Sequence, residues 1–217
     1  MNPKGIVILC AVLALSGPAP APAADPPAGK GADKRFERLL TAARKDPERA
    51  DWKALRHAFA ETSRYAPYNI DVDEKLKAIA AAIDRGEWKE SEAPLLKLIE
   101  RERFMRIHAL GLLVMLYEKR EDREKAATYG KLLDAIHGVL EYPKAGVSFK
   151  NPIEVLFIQE EYLVTAGMPV KGQALAIKDG HRFDILTIKA DDDQPERKVY
   201  FNVDLPRKAM AKFLDPK

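Results

Sequence analysis

The residue types best suited to chemistry are concentrated in the last third of the chain. The segment "GHRFDILTIKADDDQPERKVYFNVDL", residues 180–205, contains His181 and Asp184, and the adjacent carboxylates Glu160 and Glu161 precede it. A histidine and a carboxylate that converge within about 3 to 4 Å can act as a general acid–base pair. Glu161 or Asp184 with His181 would therefore form the site of a hydrolase, if the fold brought them together.

The same carboxylates also have simpler interpretations. Adjacent side chains seldom converge on one substrate, and an ion pair with Arg182 or a cap on the sheet is the favoured role for Glu160 or Glu161. The sequence contains no G-x-S-x-G elbow, no G-x-x-x-x-G-K-[ST] phosphate loop and no G-x-G-x-x-G after a strand. We therefore expect a non-catalytic binding or envelope-interaction module that needs no cofactor.

Metal binding has weak support in the sequence. His108 and His137 both fall on predicted inward faces of helices, but a zinc site needs three or four ligands. Asn69-x-Asp71-x-Asp73 is similar to the start of a calcium loop, although it lacks the glycine at the sixth position and the glutamate at the twelfth. Hydrogen-bonded core histidines and helix-capping acids are the favoured interpretations, and metal binding through the two histidines is kept as an alternative.

Several tyrosines and an asparagine remain as candidates for ligand binding. Tyr65 and Tyr68 flank a proline in a turn between helices, where aromatic rings either staple the turn or line a groove. If the protein binds a ligand, we expect the site in a seam between a helical part and a sheet. The residues assigned to this seam are Tyr65, Tyr68, Glu161, His181, Tyr200 and Asn202.

The N-terminal residues have the pattern of an export signal. Lys4 supplies the positive charge, residues 6–15 form an apolar run, and Ala21-Pro22-Ala23 fits a cleavage site. The run is shorter than the about 20 residues that cross a bilayer, and no later segment is longer. Cys10 is the only cysteine, so no disulfide remains after cleavage near Ala23. We expect an exported protein, periplasmic or extracellular, without a membrane span in the mature chain.

The charge balance excludes some partners. Removing the signal leaves 35 basic and 33 acidic residues, one lysine fewer than in the whole chain. Because the two signs are mixed along the chain, neither a nucleic-acid surface nor a polybasic membrane patch is indicated. The expected partner is an unidentified protein or small ligand.

Periodicity predicts an α+β fold in which an antiparallel helical bundle precedes a small three-stranded antiparallel meander. The predicted organisation is a signal peptide at 1–23, a disordered Pro/Ala linker at 24–33, a helical region at 34–145 and a small β-rich region at 146–217 packed on the helices. A spacing of about 35 residues aligns Ser91 with Ala126, which is close to the tetratricopeptide period.

Cap signals place the individual helices. Asp46 before Pro47 predicts one helix start, and Asp71 or Asp73 predicts the next. The segment from Ala109 to Tyr117 is apolar nearly all round, which is typical of a central helix. A last long helix, about residues 123–140, is expected to turn one face inward. The members of that face are Ala126, Tyr129, Gly130, Leu133, Ile136, His137 and Leu140.

The β-rich region predicts a hairpin whose register depends on its loop. A three-residue loop, residues 178–180, aligns Leu175 with Phe183 and Ile177 with His181, and this is the preferred register. A two-residue loop at Asp179-Gly180 would instead align Leu175 with Asp184. "KVYFNVD" supplies the third strand after a polar loop that contains Asp191–Asp193, interpreted as a solvated turn. The structure of residues 141–165 is left open.

Three segments carry a resemblance to a known family. "DWKALRHAFAETSRYAPY", "EEYLVTAGM" and "GHRFDILTIK" with "KVYFNVD" together resemble a family of secreted bacterial proteins, domain of unknown function 4919. The resemblance covers about residues 48 to 205. It implies export and a helical part followed by a small sheet, and it implies no activity.

Overall fold

The computed structural model describes residues 30–190 and 195–214, with side-chain surroundings for residues 31–190 and 195–211. The predicted signal peptide, most of the predicted linker and the acidic run Asp191–Asp193 lie outside this part of the chain. The α+β class is confirmed: helices dominate the N-terminal part, and a small, mainly antiparallel sheet follows.

Six helices form the described N-terminal part; the first lies against the second, and from the third onward each helix lies against the next. They are α1 (Lys30–Lys45), α2 (Trp52–Ala60), α3 (Ile70–Asp84), α4 (Trp88–Arg101), α5 (Ile107–Lys119) and α6 (Arg123–His137), which continues as a short 3₁₀ turn, Gly138–Leu140. The first helix thus begins at Lys30, inside the segment predicted as linker.

Two of the predicted helix starts are wrong. Asp51 caps α2 by accepting a hydrogen bond from the Ala54 amide, whereas Asp46 accepts from the Arg49 amide in the preceding turn. Asn69, rather than Asp71 or Asp73, caps α3. In both cases the residue that caps is the one next to the first helical residue, because only there does the side-chain oxygen reach the free amides of the first turn.

The packing of α5 and α6 differs from expectation in one respect. Helix α5 is the central helix, as predicted, and most of its residues from Ile107 to Tyr117 are buried. Helix α6 lies outside it, and Ile136 is its only fully buried residue. The predicted inward position of His137 is wrong, since that residue is exposed. A helix that packs against a single neighbour buries a narrower stripe than a periodicity count suggests.

The sheet has four strands in the order β1-β4-β3-β2. The strands are β1 (Ile153–Glu154), β2 (Val170–Lys178), β3 (His181–Ile188) and β4 (Arg197–Asn202). The predicted antiparallel meander is β2-β3-β4, and β1 adds a short parallel strand beside β4. Two helices complete this part: α7 (Gln159–Val164) between β1 and β2, and α8 (Asp204–Leu214) after β4, which the sequence analysis missed.

The preferred hairpin register is wrong, and the two-residue alternative is present. Lys178 pairs with His181, and Leu175 pairs with Asp184. Asp179 and Gly180 have φ values of 51° and 80°, the left-handed pair of a type I′ turn, for which Asp-Gly is a preferred sequence. The expected register rested on aligning Leu175 and Ile177 with Phe183 and His181, but both apolar side chains are exposed in the structure, so their burial does not determine the register.

One cluster of buried apolar side chains extends through both parts of the molecule. Phe36, Phe59, Tyr65 and Phe157 form a chain of ring contacts with centroids 5.3 to 6.4 Å apart, which joins α1 and α2 to the segment after β1. Leu186 and Ile188 of β3 and Val199 and Phe201 of β4 belong to the same cluster. The inner face of the sheet is therefore packed on the helices.

Candidate functional site

Glu160 is a structural residue. Arg56 donates to both oxygens of its carboxylate, at 3.0 and 2.7 Å, and the Leu156 amide donates to Oε2 at 2.8 Å. Arg56 and Glu160 are 3% and 1% exposed, so the ion pair lies away from solvent. A buried pair of this kind fixes the position of α7 relative to α2 and offers no group to a substrate.

Tyr65 is also used by the core. Its hydroxyl donates to the Leu156 carbonyl at 2.6 Å, and its ring packs between Phe59 and Phe157. Burial, with a contribution from the charge of Glu160, raises the pKa of Tyr65 well above its usual value. Tyr65 therefore staples the turn before α3 to the segment that precedes α7, and it does not line an open groove.

Glu161 and Asp184 form a buried pair of carboxyl groups between α7 and β3. Their side chains are 0% and 4% exposed. As long as both groups are ionised, no hydrogen-bond donor reaches either oxygen of Glu161 or Oδ1 of Asp184. Burial, together with the charge and the hydrogen bond of Asp184, raises the pKa of Glu161 to about 9. At neutral pH Glu161 therefore carries a proton, which can serve as a donor to Asp184.

Polar and aromatic groups surround this carboxyl pair. Gln173 of β2 donates to Asp184 Oδ2 through its side-chain amide. Burial raises the pKa of Tyr68, and the positive charge of Arg207 opposes that rise. Burial likewise raises the pKa of Tyr162, with a smaller contribution from Glu161. Because the two carboxyl groups are almost fully covered, a substrate cannot contact them, and their arrangement suits proton sharing within the fold.

His181 contacts a carboxylate other than Glu161. Its Nδ1 lies 2.6 Å from Asp204 Oδ2, and the Arg182 amide donates to Asp204 Oδ1 at 2.9 Å. The Asp204 amide in turn donates to the Asn202 side chain at 2.9 Å. Although burial of Asp204 favours its protonated form, the hydrogen bonds from His181 and Arg182 hold its pKa below the usual value. These contacts attach the start of α8 to the hairpin.

Tyr200 lies on the face of the sheet opposite the carboxyl pair. It pairs with Ile185, whereas Asp184 pairs with Phe201 of the core. Phe149 covers this outer face, with ring centroids 4.8 Å from Tyr200 and 4.9 Å from Phe183. Since neighbouring residues of a strand point to opposite faces, Tyr200 and Asn202 cannot share a cavity with Glu161. The six residues assigned to one seam are thus divided between the two faces, and the predicted convergence is wrong.

The two histidines proposed as metal ligands have different surroundings. His108 is partly buried, and burial lowers its pKa, so it is neutral at pH 7. His137 is exposed. Within the described ranges, no three or more His, Cys, Asp or Glu residues are grouped so that they could hold a metal ion.

The most unusual surface of the described chain is strand β2, which the sequence analysis predicted as the first strand of the hairpin. Eight of its nine residues are exposed and one is half-buried, so neither face of the strand is covered. Leu175 is 65% and Ile177 is 76% exposed, and Val170 at one end is 47% exposed. The Asp-Gly turn could have identified the register of this strand, but the exposure of both large apolar residues depends on where the helices end relative to the sheet.

The backbone of β2 is also open along one side. Lys178 and His181 flank a two-residue turn and so form a hydrogen-bonded pair, and such pairs alternate along an antiparallel ladder. The alternation directs the N–H and C=O groups of Gln173, Leu175 and Ile177 away from β3. Strand β2 is the last strand of the sheet, and among the described residues no backbone group is hydrogen-bonded to that side. We call these three residues, with their outward backbone groups, the free edge.

No family model, curated protein or solved structure matches the chain. The resemblance to domain of unknown function 4919 and to tetratricopeptide hairpins therefore stays a prediction. In the described part of the chain, no helix combines the length and apolar content needed to cross a bilayer.

Proposed function

We propose that this chain is an exported, non-catalytic binding module and that it binds an extended polypeptide segment, which pairs with β2 at the free edge. The observation that carries the proposal is the exposure of β2 on both faces beside an unpaired backbone side. Export is proposed from the N-terminal signal pattern, residues 1–23.

An open edge of this kind is rarely left without a function. Proteins usually protect edge strands by making them short, by covering them or by bending them with bulges, because a bare edge pairs with other chains. Strand β2 has nine residues, and its one irregularity lies at its start, between Val170 and Gly172. Downstream of that irregularity β2 pairs continuously with β3, and its free edge is uncharged and exposes Leu175 and Ile177, an arrangement to which a peptide can add a strand.

A hydrolytic role has less support. It requires an acid and a base that both reach a substrate, and His181 contacts Asp204 while Glu161 is buried against Asp184. Metal binding through His108 and His137 has no support from their surroundings. The binding role needs neither convergence nor a cofactor, since main-chain hydrogen bonds and two apolar side chains supply the contacts.

The proposal is tested with Leu175→Pro. The Leu175 amide points to the free edge, so proline there removes an outward donor while leaving the pairs between β2 and β3 in place. We expect a fluorescein-labelled peptide of alternating valine and threonine to bind the wild-type mature chain in anisotropy titrations and to lose at least about tenfold in affinity for the variant. Thermal unfolding verifies that the variant is folded.

A second variant, Leu175→Lys, also tests the free edge, and Ile70→Lys is its matched control. Ile70→Pro cannot serve as a control because proline there would change helix α3. Ile70 is 64% exposed, about as much as Leu175, but lies at the start of α3. The lysine at 175 should weaken binding and the lysine at 70 should not. Equal affinity of wild type, Leu175→Pro and Leu175→Lys for the peptide would overturn the proposal.

A further inference from the structure

We infer that the segment bound at the free edge is acidic at its flanks and apolar at alternate positions in its centre. This inference rests on the proposed pairing with β2 and adds the chemistry of the partner. Two observations carry it: the spacing of the exposed apolar side chains along β2 and the sign of the charges around them.

The apolar part follows from strand geometry. Leu175 and Ile177 are two residues apart, so their side chains project from the same face of the sheet, the face that carries Asp184 and Leu186. A paired strand presents its own side chains to that face at every second position. Apolar residues with the same spacing would cover Leu175 and Ile177, whose exposure of 65% and 76% is the largest apolar surface on the hairpin.

The acidic part follows from the charges of the hairpin. Residues 170–189 contain four cationic side chains, all of them exposed, but only two carboxylates, and one of these, Asp184, is buried. The exposed carboxylate is Asp179, in the turn. The cations are Lys171 and Lys189 toward one end of the hairpin and Lys178 and Arg182 toward the other. The centre of the free edge is uncharged, so complementary charges belong at the two flanks of the partner.

The same charges argue against a second copy of this chain as the occupant. If two β2 strands paired edge to edge, two hairpins with an excess of positive charge would be brought side by side. Lysines on an edge strand act in many proteins to prevent such pairing. Lys171 is already paired with Glu196 at 2.7 Å, so the excess of positive charge rests on Lys178, Arg182 and Lys189. An acidic segment is therefore favoured over a second copy.

The test compares three labelled peptides with the same central sequence of alternating valine and threonine. One carries two aspartates at each end, one carries two serines and one carries two lysines. We expect the affinity to fall in that order, by about three- to tenfold at each step at low ionic strength, and the differences to shrink in 1 M salt. The mature wild-type chain is used in every titration.

Charge variants locate the effect on the protein. Lys178→Gln combined with Arg182→Gln should reduce the affinity for the aspartate peptide by about three- to tenfold and leave the serine peptide unchanged. The matched control is Lys89→Gln combined with Lys131→Gln, which removes two exposed lysines from α4 and α6. This control should change neither affinity.

The outcomes separate the inference from the proposed function. If all three peptides bind equally and Leu175→Pro abolishes binding, strand pairing stands and the acidic partner is overturned. If none of them binds, the proposed function fails together with the inference. If light scattering shows a dimer that Leu175→Pro converts to a monomer, a second copy occupies the free edge, and the inference is overturned.

Discussion

At the scale of single residues, the state of Glu161 depends most strongly on the fold. The side chain is fully buried beside a second carboxyl group, so an ionised Glu161 would lack a donor and would repel Asp184. Its raised pKa is the consequence. The neighbouring Glu160 has the opposite environment, with three donors around its carboxylate. Adjacent residues of one short helix thus have different roles, because one points toward Arg56 and the other toward the sheet.

This difference predicts the pH dependence of stability. The pKa of Glu161 rises from about 4.5 in a free glutamate to about 9 in the folded chain. Its contribution to stability is therefore fully present below pH 4.5 and is lost as the pH rises through 9, with a slope of at most about 1.4 kcal/mol per pH unit. We expect Glu161→Gln, which keeps a donor toward Asp184 and cannot ionise, to lose less stability than the wild type between pH 6 and pH 9.

Urea unfolding at pH 6, 7.5 and 9 measures this prediction. Glu100→Gln is the matched control, since it removes an exposed carboxylate from α4 and should leave the wild-type pH dependence unchanged. An identical decline in the free energy of unfolding for wild type and Glu161→Gln would show that Glu161 does not hold a proton in the folded chain.

At the scale of elements, the apolar pattern of a helix was a better signal than its caps. The segment from Ala109 to Tyr117 predicted a central helix, and most residues of α5 are buried, whereas two predicted helix starts were wrong. The side of a strand that is covered was not predictable in the same way, because it depends on where the helices end relative to the sheet. The exposure of β2 and the burial of Asp184 are the result, because the cover over a strand comes from distant parts of the chain.

The candidate site shows the same limit. Glu161 was identified from its type, and Gln173 was not, although its contact with Asp184 links β2 to the carboxyl pair. Tyr65 was identified as a groove residue and lies in the core. Residue type predicts what a side chain can do, whereas burial and partners, which determine what it does, come from contacts between residues far apart in the sequence.

The Asp-Gly turn of the hairpin gives a prediction at this scale. Gly180 has a φ of 80°, a conformation that costs an alanine about 1–2 kcal/mol. We expect Gly180→Ala to lower the free energy of unfolding by about this amount, although the new methyl group would meet no neighbour within 4 Å. The loss would therefore report backbone strain and not a steric clash.

Gly130 provides the matched control for this change. It lies within α6, and an added methyl group there also meets nothing within 4 Å. Since alanine is favoured over glycine inside a helix by about 0.5–1 kcal/mol, Gly130→Ala should stabilise the chain. Urea unfolding of both variants compares the two signs, and a stabilising Gly180→Ala would contradict the left-handed turn and with it the observed register.

At the scale of the whole molecule, helices and sheet share one core. Phe201 of β4 and Trp52 of α2 belong to the same cluster of buried residues, and the ion pair of Arg56 with Glu160 joins α2 to α7. A free edge can exist only on a sheet that is held rigidly from its other side, because a two-stranded hairpin alone is marginally stable. The packing of β3 and β4 on the helices thus supplies the support that leaves β2 available for a partner.

This shared core predicts that damage to the sheet is detected in the helices. Phe201 is 0% exposed, so Phe201→Ala should cost about 3–5 kcal/mol. Both tryptophans, Trp52 and Trp88, lie in the helical part, and their fluorescence therefore reports that part alone. We expect the fluorescence midpoint and the midpoint from far-ultraviolet circular dichroism to fall together in Phe201→Ala, as in a two-state transition.

Val147→Ala, at a residue that is 50% exposed, should leave both midpoints unchanged. A fluorescence midpoint that stays at its wild-type value in Phe201→Ala would mean that the helices fold without the sheet, and the rigid support of β2 would then have to come from the hairpin itself.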